Sequence, residues 1–363
     1  MNKSFLKRIL YREDNIETLK IPNEQLQMLN RYISENMRNR RNTTDYNLLH
    51  RISSMTTNGI KINDRHINRI TKTSSEDNTK EIALDFFHEL DQELYEKVKK
   101  IIDGNSDIDF NLYMLDKNED FSATKSDGMP IHTKTPCVFS KNGKSAVYVP
   151  CKGTIEDIYL LVHELSHTFD LMPNDNPTRN MLGEVTPYCF EAMLSQYLLE
   201  NEIASKEDIV NREKGNSISQ YDDGVETFSK LELMRVKEKQ GNITQENITE
   251  MQKKYGISNR QLSYILRRLA QSEPNIDFKA RYMIAQLIYP HYMEQYQQNP
   301  AKAIKTLKEY FEQIKLNKFE NSLNVLGINP SIDSIQGLIE TTNRRIKRLE
   351  NTRMFDDKEM GLW

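Results

Sequence analysis

Five consecutive residues carry the chemistry most readily read from this chain: His163-Glu164-Leu165-Ser166-His167. They close the apolar run Ile155 to Val162, and the stretch from Gly153 to Met172 reads as one helix, with Thr154 placed to cap it and Glu156 and Asp157 in its first turn. Residues four apart on a helix lie one above the other. Both imidazoles can therefore reach a single cation while Glu164, one step on from the first, points at the open coordination position. This is the H-E-x-x-H spacing of zinc sites. Neutral imidazole suits Zn2+, and a carboxylate beside the ion can take a proton from water and pass it to a leaving amine.

Such a site needs at least a third protein ligand and, when catalytic, leaves its fourth position open. No further histidine stands close by in sequence, so a carboxylate of the following helix is the natural candidate. That helix opens at Gly183-Glu-Val-Thr-Pro187, with the proline tolerated only near its start. Glu184 lies 17 residues beyond His167 and Glu191 lies 24 beyond. Seven apart, the two share one helical face, and spacing alone does not choose between them.

The elements around this pair of helices follow from periodicity. Residues 1–105 read as an N-terminal helical region, with Leu26, Leu29, Tyr32 and Ile33 at helical spacing and a strong stripe through Ile82, Phe86, Leu90, Leu94, Val98 and Ile101. The polar stretch Thr71 to Lys80 has no apolar period and reads as an internal linker. Residues 106–363 read as a second region. It begins with alternation at Ile108, Phe110, Leu112 and Met114, then β-prone runs at Pro136 to Ser140 and Ala146 to Val149 joined through Asn142-Gly143, a hairpin signal. A small sheet before the histidine helix suits a peptidase, because an extended substrate can add to an exposed strand beside the metal. From about 205 onward the pattern is helical, in segments that include 205–211, 224–239, 277–289, 301–316 and 331–350.

These residues resemble the thimet oligopeptidase and oligoendopeptidase F family of zinc peptidases, the gluzincin type with two histidines and a glutamate. The resemblance rests on Tyr148-Val-Pro-Cys-Lys-Gly153-Thr154-Ile-Glu-Asp157 running into His163-Glu-Leu-Ser-His167, and on the glutamate pair of Glu184-Val-Thr-Pro-Tyr-Cys-Phe-Glu191. It extends to Phe278-Lys-Ala-Arg-Tyr282, the helix 301–316 and Ser322-Leu-Asn-Val-Leu-Gly327, and so covers roughly 145–350. It implies a mainly α fold, a helical zincin-like metallopeptidase with a small β-sheet beside the active-site helix. It also implies Glu184 as third zinc ligand, Glu191 behind the site orienting a ligand histidine, and Tyr282 as donor to the developing oxyanion. The chain departs from the family at Ser166, where a glycine is usual, at Asp170, where a further histidine is common, and at Ala270, near the place of another histidine. Family members are also commonly longer.

Composition narrows the alternatives. The chain has 363 residues, a net charge of -3 and 37% hydrophobic residues, an ordinary globular balance with no general reason to expect nucleic acid or a membrane surface as partner. Cys137, Cys151 and Cys189 are too few and too irregular for a disulfide framework or a thiolate zinc site. The first ten residues lack the apolar core of a secretory signal, which leads to the expectation of a cytoplasmic protein or one exported without a classical signal. His50, His66, His88 and His132 have no ligand spacing, whereas His291, after Pro290 where a helix should kink or end, could enter the site from the C-terminal region. The segment 248–268 has the short-helix, glycine, second-helix form of a helix-turn-helix with basic residues along it. Two other readings thus stand beside a Zn2+ peptidase acting on peptides or proteins. One is a peptidase-type regulator touching DNA, and the other is a non-catalytic, zinc-stabilised interaction protein.

Overall fold

A helix that must present two histidines from one turn needs a rigid start. Here the start is made by Asp157, whose Oδ2 accepts from the backbone N–H groups of Lys152, Gly153 and Thr154 at 2.8, 2.7 and 3.2 Å. This was observed in a computed structural model that describes residues 20–38, 45–63, 65–68, 70, 72–104, 110–116, 121–124, 130–133, 136–141, 144–170, 181–255, 257–259, 262–263, 266, 277–316 and 319–351. Thr154 does not cap the helix with its side chain. The residue before the first turn is Ile155, without a side-chain cap bond, and Gly153 takes φ +76°, a conformation open to glycine that lets the chain double back over Asp157.

The described elements are predominantly helical. In chain order they are α1 (Asn23–Arg38), α2 (Tyr46–Gly59), α3 (Glu76–Leu90), α4 (Gln92–Ile102), β1 (Phe110–Asp116), β2 (Phe121–Thr124), β3 (Pro130–Thr133), β4 (Cys137–Lys141) and β5 (Lys144–Cys151). They continue with α5 (Glu156–Ser166), α6 (Val185–Glu200), α7 (Lys206–Gln240), α8 (Gln245–Tyr255), α9 (Asp277–Gln298), α10 (Pro300–Lys315), α11 (Phe319–Val325) and α12 (Ile332–Asn351). By its internal contacts the chain divides into two units, Met1–Ile60 with Ser219–Met283, and Lys61–Ile218 with Ile284–Trp363. The change of period near residue 105 marks the passage from α4 to β1, both inside the second unit.

In the first unit, Asp45 caps α2 by accepting from Asn47 and Leu48 N–H, each at 2.9 Å. Asn30 ties α1 to the turn before α8, its amide donating to the Ile243 carbonyl and accepting from the Ile243 N–H, both at 2.9 Å. A Cβ at Gly224 would stand 3.0 Å from Thr56 Cγ2, so glycine lets α7 approach α2 closely.

The second unit holds a three-stranded sheet in the order β1-β5-β4, with β1 parallel and β4 antiparallel to the central β5. Lys141 pairs with Lys144 across two residues, the spacing that the Asn-Gly signal predicts. The strands β2 and β3 form a separate antiparallel pair. Val147, Tyr148 and Val149 of β5 are buried, as are Ile158, Tyr159, Leu161, Val162 and Leu165 of α5, which packs on β5 and α6.

Three sequence expectations are corrected. The polar stretch 71–80 is no linker: Thr73 bridges Thr154, Ile155 N–H donates to Lys72 O at 3.1 Å, and residues 76–80 are the first turn of α3, capped by Ser75. The helix expected to break between 211 and 224 continues through Gly215 as α7, with its face buried along 213, 214 and 217. Burial outweighs the poor helix propensity of that stretch. Likewise α9 passes through Pro290 without ending, carried by the buried residues Ala285 to Tyr289 and Tyr292 to Met293. Among the described residues no helix is long and apolar enough to cross a membrane.

Asp157 is 2% exposed. We therefore expect Asp157→Ala to cost about 1–2 kcal/mol of unfolding free energy, since three backbone N–H groups before the helix lose a charged acceptor. Urea unfolding followed by circular dichroism measures it, with Asp157→Asn retaining part of the loss. A change below about 0.5 kcal/mol would show that the triple contact does not fix the start of α5.

Candidate metal centre

Helical geometry holds through His167, whose φ and ψ of -59° and -20° continue α5 by one residue, so His163 and His167 are stacked one turn apart. Their ring centroids lie 5.1 Å apart at 80°. Against them stands Glu184, the residue just before α6, 1% exposed. Its Oε2 is 3.3 Å from His163 Nε2 and 3.7 Å from His167 Nε2. Among the described residues these three form a group whose ligand atoms lie within 4.8 Å of one another.

Those separations test whether a metal fits. Ligands about 2.0–2.1 Å from a tetrahedral ion stand about 3.3–3.4 Å apart, so the carboxylate oxygen is close to the right distance from both imidazoles. The donor set, two imidazoles and a carboxylate, suits Zn2+. The charge agrees. Burial alone would drive a proton off His163, yet the carboxylates of Glu184 and Glu191 at its two nitrogens outweigh burial and hold the imidazolium form well above the usual histidine range. The pocket favours positive charge.

Several contacts bring Glu184 to this place. Thr186, in the first turn of α6, donates to the buried Asp170 at 2.6 Å and so ties the chain just after α5 to the beginning of α6. Tyr310 of α10 donates to the Leu182 carbonyl at 3.2 Å. Phe169, two residues past His167, packs on Phe87 of α3, Phe190 of α6 and Phe311 of α10, with ring centroids 5.7, 5.4 and 5.7 Å away.

Glu191 stands on the other side of His163. Its Oε1 accepts from His163 Nδ1 at 2.5 Å, and its Oε2 accepts from Arg212 at 2.5 Å. Burial would raise its pKa, but Arg212 first and His163 second hold the carboxyl below the usual range. Sequence reasoning missed Arg212. The available signal was the polar face formed by Glu156, Tyr159 and His163 at helical spacing, which needs a partner once buried.

Glu164 is 4% exposed, and its charge reaches Cys137 on the outer strand β4. Burial, and then Glu164, push that thiol up to about 12. Tyr188, one turn into α6, turns its ring edge to His163 at 6.1 Å, stacks on Tyr289 at 5.8 Å and accepts from Gln286 at 2.6 Å.

The other candidates have surroundings of their own. Tyr282 belongs to the first unit, half-buried on α9, with Lys279 Nζ 5.6 Å and Arg281 Cζ 5.3 Å from its ring centre. His291 does not join the three-ligand group; it lies 3.0 Å from Gln295 Nε2, and burial pulls its pKa down. His50 sits between Glu232 and Arg235, His66 bonds Asn68, and His88 packs edge-on against Tyr95, while the His132 side chain lies outside the described residues. Of the segment 248–268, α8 buries Ile248 and Met251 and exposes Lys253 and Lys254, and most of 256–268 lies outside the described residues.

No protein-family model matches the sequence, and neither does any curated protein. Solved structures do match. One is a Chlamydophila abortus protein assigned to the peptidases, at 14% identity and TM-score 0.53, covering 95% of this chain and 57% of its own. A second is assigned to oligoendopeptidase F, at 11% identity and TM-score 0.56, covering 92% and 60%. PZ peptidase A, solved with an inhibitor, matches at 14% identity and TM-score 0.50, covering 94% and 60%. The chain thus spans about three fifths of the length of these structures. What it shares with them, over nearly all of its own length, is the helical fold of oligoendopeptidase-like peptidases.

Proposed function

We propose that this protein is a zinc-dependent metalloendopeptidase, with His163, His167 and Glu184 holding the ion. The observation that carries the reading is the convergence of two imidazoles and one buried carboxylate at near-tetrahedral separations, with a second buried carboxylate, Glu164, on the same helix. When bound, Zn2+ would polarise the scissile carbonyl and lower the pKa of water in the site. Everything else falls to the chain. Glu164 accepts the proton of the attacking water and returns it to the leaving amine, the role that a carboxylate beside the ion can fill. Glu191 holds the Nδ1 proton of His163 and thereby commits Nε2 to the ion. The outer strand β4 lies beside Glu164 and gives an extended peptide backbone a place to add. Tyr282 keeps the part that the sequence resemblance implies, donor to the oxyanion.

The main test is Glu164→Gln. It should keep full zinc content by atomic absorption and lose peptide cleavage by about 10²- to 10⁴-fold, measured with a quenched fluorogenic peptide library. Full activity in that variant would remove Glu164 from the mechanism. Tyr282→Phe should lower kcat by about 10²- to 10³-fold with zinc content unchanged, and an unchanged kcat would take the oxyanion role away from Tyr282 alone. Treatment with a chelator should abolish cleavage and lower Tm, because an ion at 100 times its Kd adds about 2.7 kcal/mol to the folded state. Equal Tm and equal activity with and without chelator would overturn the metal assignment.

A further inference from the structure

The polar contacts behind His163 close into a ring. Glu156, Tyr159 and His163 stand at i, i+3 and i+7 on α5, one face of the helix. Arg212, on α7, donates through one terminal nitrogen to Glu156 at 2.6 Å and through the other to Glu191 at 2.5 Å, with its Cζ 3.6 Å from the centre of the Tyr159 ring. Glu191, on α6, returns to α5 through His163 Nδ1. Starting from α5, the path runs through α7 and α6 and ends on the same helix.

Each link restricts the next. A carboxylate bonded only to an imidazole can rotate or take up the proton it is meant to accept. With its second oxygen held by a guanidinium, Glu191 keeps both its charge and its plane. The guanidinium is in turn fixed by a ring face and a second carboxylate, both carried on α5. The His163 ring is therefore aimed from a distance.

We propose that Arg212 is a positioning residue for the metal. It acts through Glu191 to fix the tautomer and the direction of His163, and so sets the affinity and geometry with which His163, His167 and Glu184 take a divalent cation. This inference rests on the proposed metal site, and its test separates the two.

The test measures metal binding on the full chain. Zn2+ affinity is taken by competition with a chromophoric chelator, and site geometry by the visible absorption of the Co2+ form, with circular dichroism as the check on folding. Arg212→Met should weaken Zn2+ binding by about 10- to 100-fold and alter the Co2+ spectrum. Arg212→Lys keeps the charge but loses the fork and should fall between wild type and Arg212→Met. If Arg212 acts through Glu191, then in a Glu191→Gln background Arg212→Met should change the affinity by no more than about threefold further. This double variant also removes the carboxylate that Arg212→Met would leave buried, so it keeps the question open to measurement should the single variant fail to fold. Two outcomes count against the proposal. In one, Arg212→Met and Arg212→Lys bind within about twofold of wild type with the same Co2+ spectrum, which leaves Arg212 as packing only. In the other, full additivity with Glu191→Gln shows that the two act separately. Wild-type protein that takes up neither Zn2+ nor Co2+ would sink the metal reading itself, and that result is visible before any variant is made.

Discussion

A carboxylate as deeply buried as that of Glu184 has to be met by positive charge or by hydrogen-bond donors. Its oxygen faces two imidazoles that are neutral unless protonated, and Glu164 is buried on the same helix that carries them. A buried carboxylate facing two imidazoles is an arrangement that a divalent cation can balance. That requirement orders the surrounding contacts. Asp170 and Thr186 set the height of Glu184 along the histidine pair, and Glu191 with Arg212 sets the tilt of the nearer ring.

Stability and direction come from different layers. Phe87, Phe169, Phe190 and Phe311 are all buried and touch in a cluster that clamps the end of α5 against α6. Each buried phenylalanine contributes about 1.5–3 kcal/mol, whereas a buried ion pair is often no more stabilising than apolar residues of the same volume. The aromatic layer therefore holds together the two elements that carry His163, His167 and Glu184. The ion relay contributes angle rather than strength: a planar guanidinium shared between the carboxylates of Glu156 and Glu191 fixes orientation in a way that phenylalanine packing does not.

The parts of this arrangement that are local in sequence were legible in it. Two histidines four apart on an apolar helix, a small sheet before it and a glutamate helix after it follow from period and spacing. The choice of Glu184 over Glu191 did not, because both lie on one face, and only the resemblance separated them. Arg212 and the Asp170 to Thr186 tie were hidden for another reason. Each is a single polar residue whose partner is set by tertiary packing, and nothing in its own neighbourhood distinguishes it from a solvated side chain. The helices across 212–223 and across Pro290 were hidden because local propensity argues against them and burial decides.

Arg212 and Glu213 are adjacent on α7, and consecutive residues of a helix point about 100° apart. They serve two separate polar groups. Arg212 answers Glu191 and Glu156, while Glu213 accepts from Ser195 at 3.0 Å, Tyr289 at 3.0 Å and Arg345 at 2.9 Å. Tyr159 links the two: Ser195 donates its one hydrogen to Glu213, so the Tyr159 hydroxyl, 3.1 Å away, must be the donor to Ser195. The charges within this linked set are Glu156, Glu191 and Glu213 against Arg212 and Arg345, and Glu156 is the most exposed of the three acids. The buried acids Glu191 and Glu213 are thus matched one to one by guanidinium groups, which sets them apart from Glu184, whose oxygen faces the two imidazoles.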